Sequence, residues 1–124
     1  MIEVEIPIKT PSVNHLYGHA RFGGMYIKPE AKKIRKEIEE ILLSQIGTSF
    51  EHVNDVMLKV DVEIHENWYT QKGEIKRVDL ANREKFLIDS IFEAIGLDDK
   101  LIFEHTMKKV QDEKERAIVR ISKI

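Results

Sequence analysis

The sequence contains no cysteine, which excludes a disulfide framework and any thiolate-ligated zinc site. It also lacks an apolar run long enough to span a membrane. Met1 leads directly into a strand-like alternation instead of a signal sequence, so a cytoplasmic protein is expected. An excess of one charge is missing as well. The formal net charge of -2 neither favours nor excludes nucleic acid as a partner, because a basic face can coexist with acids elsewhere and a metal-binding acid cluster lowers the total by itself. No internal repeat or low-complexity tract is present. What remains is one soluble globular domain, 124 residues long, 42% hydrophobic and 34% charged, with enough chain to build a core.

The first residues alternate, with Ile2, Val4, Ile6 and Ile8 on one side and Glu3 and Glu5 on the other. That is a half-buried strand, and Pro7 puts it at a sheet edge or close to its end. Residues 10–29, TPSVNHLYGHARFGGMYIKP, are punctuated by Pro11, Gly18 and Gly23-Gly24, with a short strand at Met25-Tyr26-Ile27. Their His15, Tyr17, His19, Arg21 and Lys28 suit a loop or ribbon that contacts a phosphate backbone and stacks on bases. A solvated hairpin closing over the core suits them equally. A helix begins at Pro29, with Ala31, Ile34, Ile38, Ile41, Leu42 and Gln45 forming one stripe and Gly47 ending it. Its charged side, including Lys36 and Glu40 at i,i+4, reads as a solvated face.

Val56, Leu58, Val60, Val62 and Ile64 then alternate with Met57, Lys59, Asp61, Glu63 and His65 in the clearest strand of the chain. Asp61 and Glu63 fall on its polar face. The loop Glu66 to Lys76 holds the only tryptophan; Trp68-Tyr69 suits base stacking, core cover or a subunit contact. A second helix follows, with Leu87, Ile88, Ile91, Ala94 and Ile95 on its buried stripe, Asn82, Lys85, Asp89 and Glu93 opposite, and Gly96 as a left-handed cap. Strands at Leu101–Lys109 and Ala117–Ser122 close the chain. The order β-β-α-β-α-β-β predicts an α/β domain, a small mixed sheet with two main helices packed on it.

The stretch Lys76 to Glu104 gathers the chemistry. Asp79 stands at the start of the second helix, and Asp98-Asp99 follow its end. Phosphodiester hydrolysis needs a nucleophilic water, neutralised phosphate charge and help for the leaving oxygen. Mg2+ held by two or three carboxylates serves those needs, and a nearby lysine stabilises developing charge. Asp79, Asp98 or Asp99, and Lys85 supply such a site if the helix and the loop after it fold toward one another. Read one by one, the same residues are also an N-cap, a surface Lys85–Asp89 pair and a turn.

The run VDLANREKFLIDSIFEAIGLDDKLIFE resembles the core of the RusA-type Holliday junction resolvases, whose pattern reads Asp-x-Asp-Asn-x-x-Lys-x-x-x-Asp, an Ala-x-Gly segment, and Asp-Asp before a strand. PSVNHLY is similar to that family's opening Pro-Ser-x-Asn segment, and the likeness extends from about Ile2 to Ile121. The resemblance implies a homodimeric, Mg2+-dependent endonuclease, with Mn2+ as a substitute, that binds four-way DNA junctions and nicks two strands symmetrically. It assigns catalysis to Asp79, Lys85 and Asp99, and metal ligation to Asp79, Asp99 and Asp98. Asn82 and Asp89 take supporting roles. Asn14, His15, Tyr17, Arg21, Lys76 and Arg77 become DNA contacts. Phe103 and Trp68 are candidates for the dimer interface. Two positions depart from the pattern: Val78 replaces an arginine, and Ala81 stands where the second metal-ligating aspartate belongs. Three explanations compete for Ala81: an engineered Asp→Ala, a natural binding-only relative, and rescue by another acid such as Asp61, Glu63 or Asp89. The intact pattern around it favours the first.

Overall fold

The computed structural model describes residues 2–12, 17–19, 23, 25–46 and 56–124. Asn14, His15, Arg21 and the expected helix-ending Gly47 lie outside the described residues. β1 (Ile2–Ile6) is followed by a short antiparallel ribbon of β2 (Tyr17–His19) and β3 (Met25–Ile27), then α1 (Pro29–Ile46) and β4 (Leu58–Glu66). α2 (Leu80–Ile95), a single 3-10 turn (Asp99–Leu101), β5 (Ile102–Gln111) and β6 (Arg116–Lys123) complete the chain. The ribbon supplies a strand, β2, that glycine-rich punctuation alone had not separated from loop. Tyr17 belongs to it by backbone.

The main sheet has the order β1-β6-β4-β5. β1 and β4 run antiparallel to β6, whereas β4 and β5 are parallel, so the sheet is mixed, as expected. A parallel neighbour cannot be reached by a tight turn, and α2 is the crossover that makes the β4–β5 pairing possible. β1 is an edge strand that stops at Ile6, one residue before Pro7. Its open side is not left bare. The Gln45 side chain accepts from Glu5 N–H at 3.0 Å and donates to Glu5 C=O at 2.6 Å, standing in for a neighbouring strand and blunting the edge. That is why an amide sits at the end of the apolar stripe of α1.

Alternation decides which face meets the helices. Val4 and Ile6, Leu58, Val60, Val62 and Ile64, and Ala117, Val119 and Ile121 are buried in one cluster with Ala31, Ile38 and Leu42 of α1 and Phe86, Leu87 and Ile91 of α2. α2 buries more of its circumference than the stripe suggested: Phe86 and Phe92 are fully packed, while Ala94 and Ile95 are only partly covered. Arg35, read as solvated, reaches across to α2 and bonds Ser90 Oγ at 3.3 Å and Glu93 at 3.0 Å. Trp68 is neither a base-stacking residue nor an interface candidate in this fold. It is 4% exposed, and its indole N–H is shared between the carbonyls of Ile64 and Val110 at 3.2 and 3.0 Å. Phe103 does stay exposed, on edge strand β5.

The opposite sheet face is a lattice of charge. Arg120 joins Glu3 and Glu63; Arg116 joins Glu5 and Asp112; His65 sits between Glu63 and Asp112, with a carboxylate at each ring nitrogen. Asp61 takes the Thr106 hydroxyl at 2.5 Å. Asp61 and Glu63 are therefore partnered on the face away from α2, so neither stands beside position 81 within one chain.

Hydrogen bonds from Arg120 and His65 hold the Glu63 carboxyl below its ordinary value, and Arg116 does the same for Glu5. The Lys114 backbone N–H and then His65 pull Asp112 down to about 2. Groups depressed in the folded state stabilise it fully above their unfolded values, near pH 4, and lose that contribution as pH falls through the folded ones. The urea midpoint should accordingly decline between about pH 4 and pH 2. Asp112→Asn should flatten that decline; an unchanged pH profile in the variant would refute the assignment.

Candidate active site

α2 starts where it does because Asp79 caps it. The residue is extended (φ -83, ψ 122), and its Oδ1 accepts from Ala81 N–H at 3.0 Å, satisfying one of the donors left open in the first turn. The helix stops at Gly96, whose φ of 73 is the left-handed conformation that glycine adopts without a Cβ clash. Gly96 N–H bonds Glu93 C=O and Leu97 N–H bonds Phe92 C=O, the paired closure of a Schellman motif. Both expected caps are present.

Between them, α2 distributes the candidate residues on different sides. Asp79 and Asn82 line a cavity of about 560 Å³ together with Arg77, Val78 and Arg83. The facing wall is Lys9, Thr10, Pro11 and Ser12, so the opening Pro-Ser segment and the start of α2 do come together. Lys76 is half-buried just upstream, its N–H bonded to Trp68 C=O. Ala81, Lys85 and Asp89 recur every fourth residue along another stripe, with Ala81 and Lys85 exposed and Asp89 partly covered. At the far end, Asp89, Asp98 and Asp99 border a second cavity of about 440 Å³ with Phe92, Glu93 and Leu97. Asp98 caps the 3-10 turn by accepting from Lys100 N–H at 2.9 Å, and that bond holds its carboxyl below the ordinary value.

The acids are thus gathered in two places, not one. α2 is 16 residues long, which at 1.5 Å per residue separates its ends by about 24 Å. Asp79 stands at one end and Asp98-Asp99 at the other. The loop after the helix meets its last turns, at Asp89, Phe92 and Glu93, and Asp79 lines the other cavity. Among the described residues no group of three or more acids or histidines is arranged so that it could hold a metal ion.

Two functional candidates escaped the sequence reading. Arg83 and Glu84 are the buried charges of α2. Arg83 Nη1 donates to Thr10 C=O at 2.6 Å and to Glu66 Oε1 at 2.9 Å, and the guanidinium lies over the Trp68 ring. Glu84 meets His105 Nε2 at 2.9 Å; burial pushes its carboxyl pKa up, with His105 pulling the other way. The signal was the period itself. Positions 83 and 84 precede Leu87 and Ile88 by one turn, on the buried side.

A profile of the endodeoxyribonuclease RusA family matches residues 7–122, which is nearly the whole sequence. The chain belongs to the RusA family. Comparison with curated individual proteins gives no match. RusA proteins are endodeoxyribonucleases that act on Holliday junctions, typically with a divalent metal, and the mixed sheet with two helices is consistent with a RusA-like fold. No helix among the described residues is long and apolar enough to cross a membrane.

Asp79 carries both a cap and a charge, and substitution separates them. Asparagine caps as well as aspartate, so Asp79→Asn should leave the urea midpoint nearly unchanged, whereas Asp79→Ala should cost about 1 kcal/mol. Equal losses from the two variants would mean that the charge, not the cap, supports the helix.

Proposed function

We propose that this chain is a Mg2+-dependent, structure-specific endodeoxyribonuclease that resolves four-way junctions by paired symmetric nicks, working as a homodimer in the cytoplasm at the nucleoid. The observation that carries this reading is the convergence of the Pro11-Ser12 segment with Asp79 and Asn82 on one cation-rich cavity, in a chain matched to RusA over residues 7–122.

The donor chemistry suits Mg2+, since carboxylate oxygens are the ligands a hard cation takes. One copy does not bring the two acids into one cavity, because Asp79 precedes and Asp98-Asp99 follow a continuous helix of 16 residues, about 24 Å long. A site that uses both takes one from each of two copies, and a two-fold axis then makes two such sites, one per strand to be cut. When bound, the metal would supply a nucleophilic water and neutralise charge on the phosphate; Mn2+ would substitute. The chain's own residues do the rest. Lys76 and Arg77 hold backbone phosphates, Asn82 orients the strand beside Asp79, and Lys85 lies along the exposed stripe where it can offset charge developing on the phosphate. Asp89 lies one turn further along that stripe and borders the Asp98-Asp99 cavity, where it supports those ligands.

Ala81 occupies the first turn of this stripe, so the site lacks a carboxylate next to Asp79. This favours one second reading, a protein that binds junctions and cuts them poorly or not at all. The deciding experiment is cleavage of a labelled synthetic four-way junction in Mg2+ or Mn2+, comparing this chain with Ala81→Asp. Position 81 is exposed, and an acid in a first turn favours the helix dipole by about 0.3–1 kcal/mol, so the variant should fold at least as well. Paired nicking should rise by at least the roughly 10–100-fold that even an outer-shell partner of a metal ligand contributes. Absence of Mg2+-dependent nicking in Ala81→Asp would reject the nuclease reading, and junction binding without it would establish the second.

The two-copy site has its own test in that active background. Asp79→Asn and Asp99→Asn should each be inactive alone. Mixed, they should nick one strand of the junction, because one of the two composite sites in a heterodimer is intact. No recovery on mixing would place both acids in the same copy.

A further inference from the structure

We infer that the cavity at the start of α2 is a phosphate subsite, in which Arg83, Thr10 and Lys9 grip one phosphodiester of the DNA strand that passes Asp79. It rests on the nuclease reading only in naming DNA as the owner of that phosphate.

Among the described residues, the cavity of about 560 Å³ is lined by three cations, Lys9, Arg77 and Arg83, and one acid, Asp79. Charge alone would not make a site, and Glu66 already balances part of Arg83. The second observation is a pair of unmet hydrogen-bonding groups in its walls. Arg83 is 9% exposed and Thr10 2%, yet Arg83 Nε and Thr10 Oγ1 are buried without a partner. Buried polar groups are seldom left so, because they lose water without gaining a replacement.

The geometry of the guanidinium says what is missing. Among the described residues its hydrogen bonds run through Nη1, to Thr10 C=O and Glu66, and Trp68 lies 6.0 Å from the guanidinium. These contacts hold the group, Nε has no partner, and among the described residues the edge it forms with Nη2 is not engaged. That edge presents two parallel N–H donors, the fork that matches two oxygens of a phosphate. The Thr10 hydroxyl offers a further donor on the facing wall, and Lys9 a mobile charge at the mouth.

The test is NMR on the full-length 15N-labelled protein, reading the Arg83 Nε–H resonance, assigned through Arg83→Lys, and the amides of Thr10 and Ser12. The probes are inorganic phosphate, the thymidine dinucleotide with one phosphodiester, and its uncharged methylphosphonate analogue. The dinucleotide should shift these resonances saturably and the methylphosphonate should not. Lys9→Gln, at an exposed residue that folding does not need, should weaken the response by about tenfold. Shifts with inorganic phosphate alone would overturn the DNA assignment, and shifts with neither anion would overturn the subsite. Dinucleotide shifts without junction cleavage by Ala81→Asp would keep the subsite and remove the nuclease reading; cleavage without shifts would do the reverse.

Discussion

A single nitrogen, Arg83 Nη1, joins three distant parts of this protein. It bonds the carbonyl of Thr10, 73 residues away in sequence, and the carboxylate that ends β4, 17 residues away. The N-terminal segment, the last residue of the central strand and the first turn of α2 are therefore held in one relation. A buried ion pair is not a large source of net stability, since desolvating both charges offsets most of their attraction. Breaking one half is costly, however, because the other half is left buried and alone. What the pair provides is position. It sets how far the Pro11-Ser12 wall stands from Asp79 and Asn82, and the cavity between them exists at that spacing.

The second constraint is the continuity of α2. The Asp79 cap begins it, the Gly96 closure ends it, and nothing between them breaks its hydrogen bonding. A continuous helix cannot bring its own two ends together. The acids that the family pattern groups as one site are therefore divided between two cavities. Under the proposed two-copy site, a two-fold arrangement is the simplest geometry that would reunite them, and catalysis and oligomeric state would become one question.

Most of the framework was legible because period and caps are local. The alternation of β1 and β4, the three-and-four spacing of both helices, Asp79 and Gly96 as caps, and the closing pair of strands all stand where the pattern put them. What the pattern missed shares one cause, which is that polarity was equated with exposure. Arg83, Glu84 and Arg35 are charged, yet each finds a partner on another element, and those partners lie from 17 to 73 residues away for Arg83. Gln45, already placed on the apolar stripe by the helical period, finds its partner 40 residues away. Of the three readings open for Trp68, core cover is the one the fold bears out, because its N–H reaches two carbonyls that only the folded β4 and β5 bring side by side. Whether acids at the two ends of a helix meet is likewise a property of the assembled fold, and spacing along the chain does not contain it.

Position 81 shows how binding and cutting pull apart at such a site. Two carboxylates side by side at a helix start repel a phosphate unless a cation stands between them. With Ala81, the first turn of α2 carries no acid, and the adjoining cavity keeps three cations against one aspartate. Under the proposed reading, that balance would attract a DNA backbone without help from metal, while part of what would hold the metal for hydrolysis is missing. The fold itself does not depend on this side chain, because position 81 is exposed and its N–H serves the Asp79 cap whatever side chain it bears. Residue 81 would then set the balance between holding a DNA strand and cutting it, with the helix and its cap unchanged.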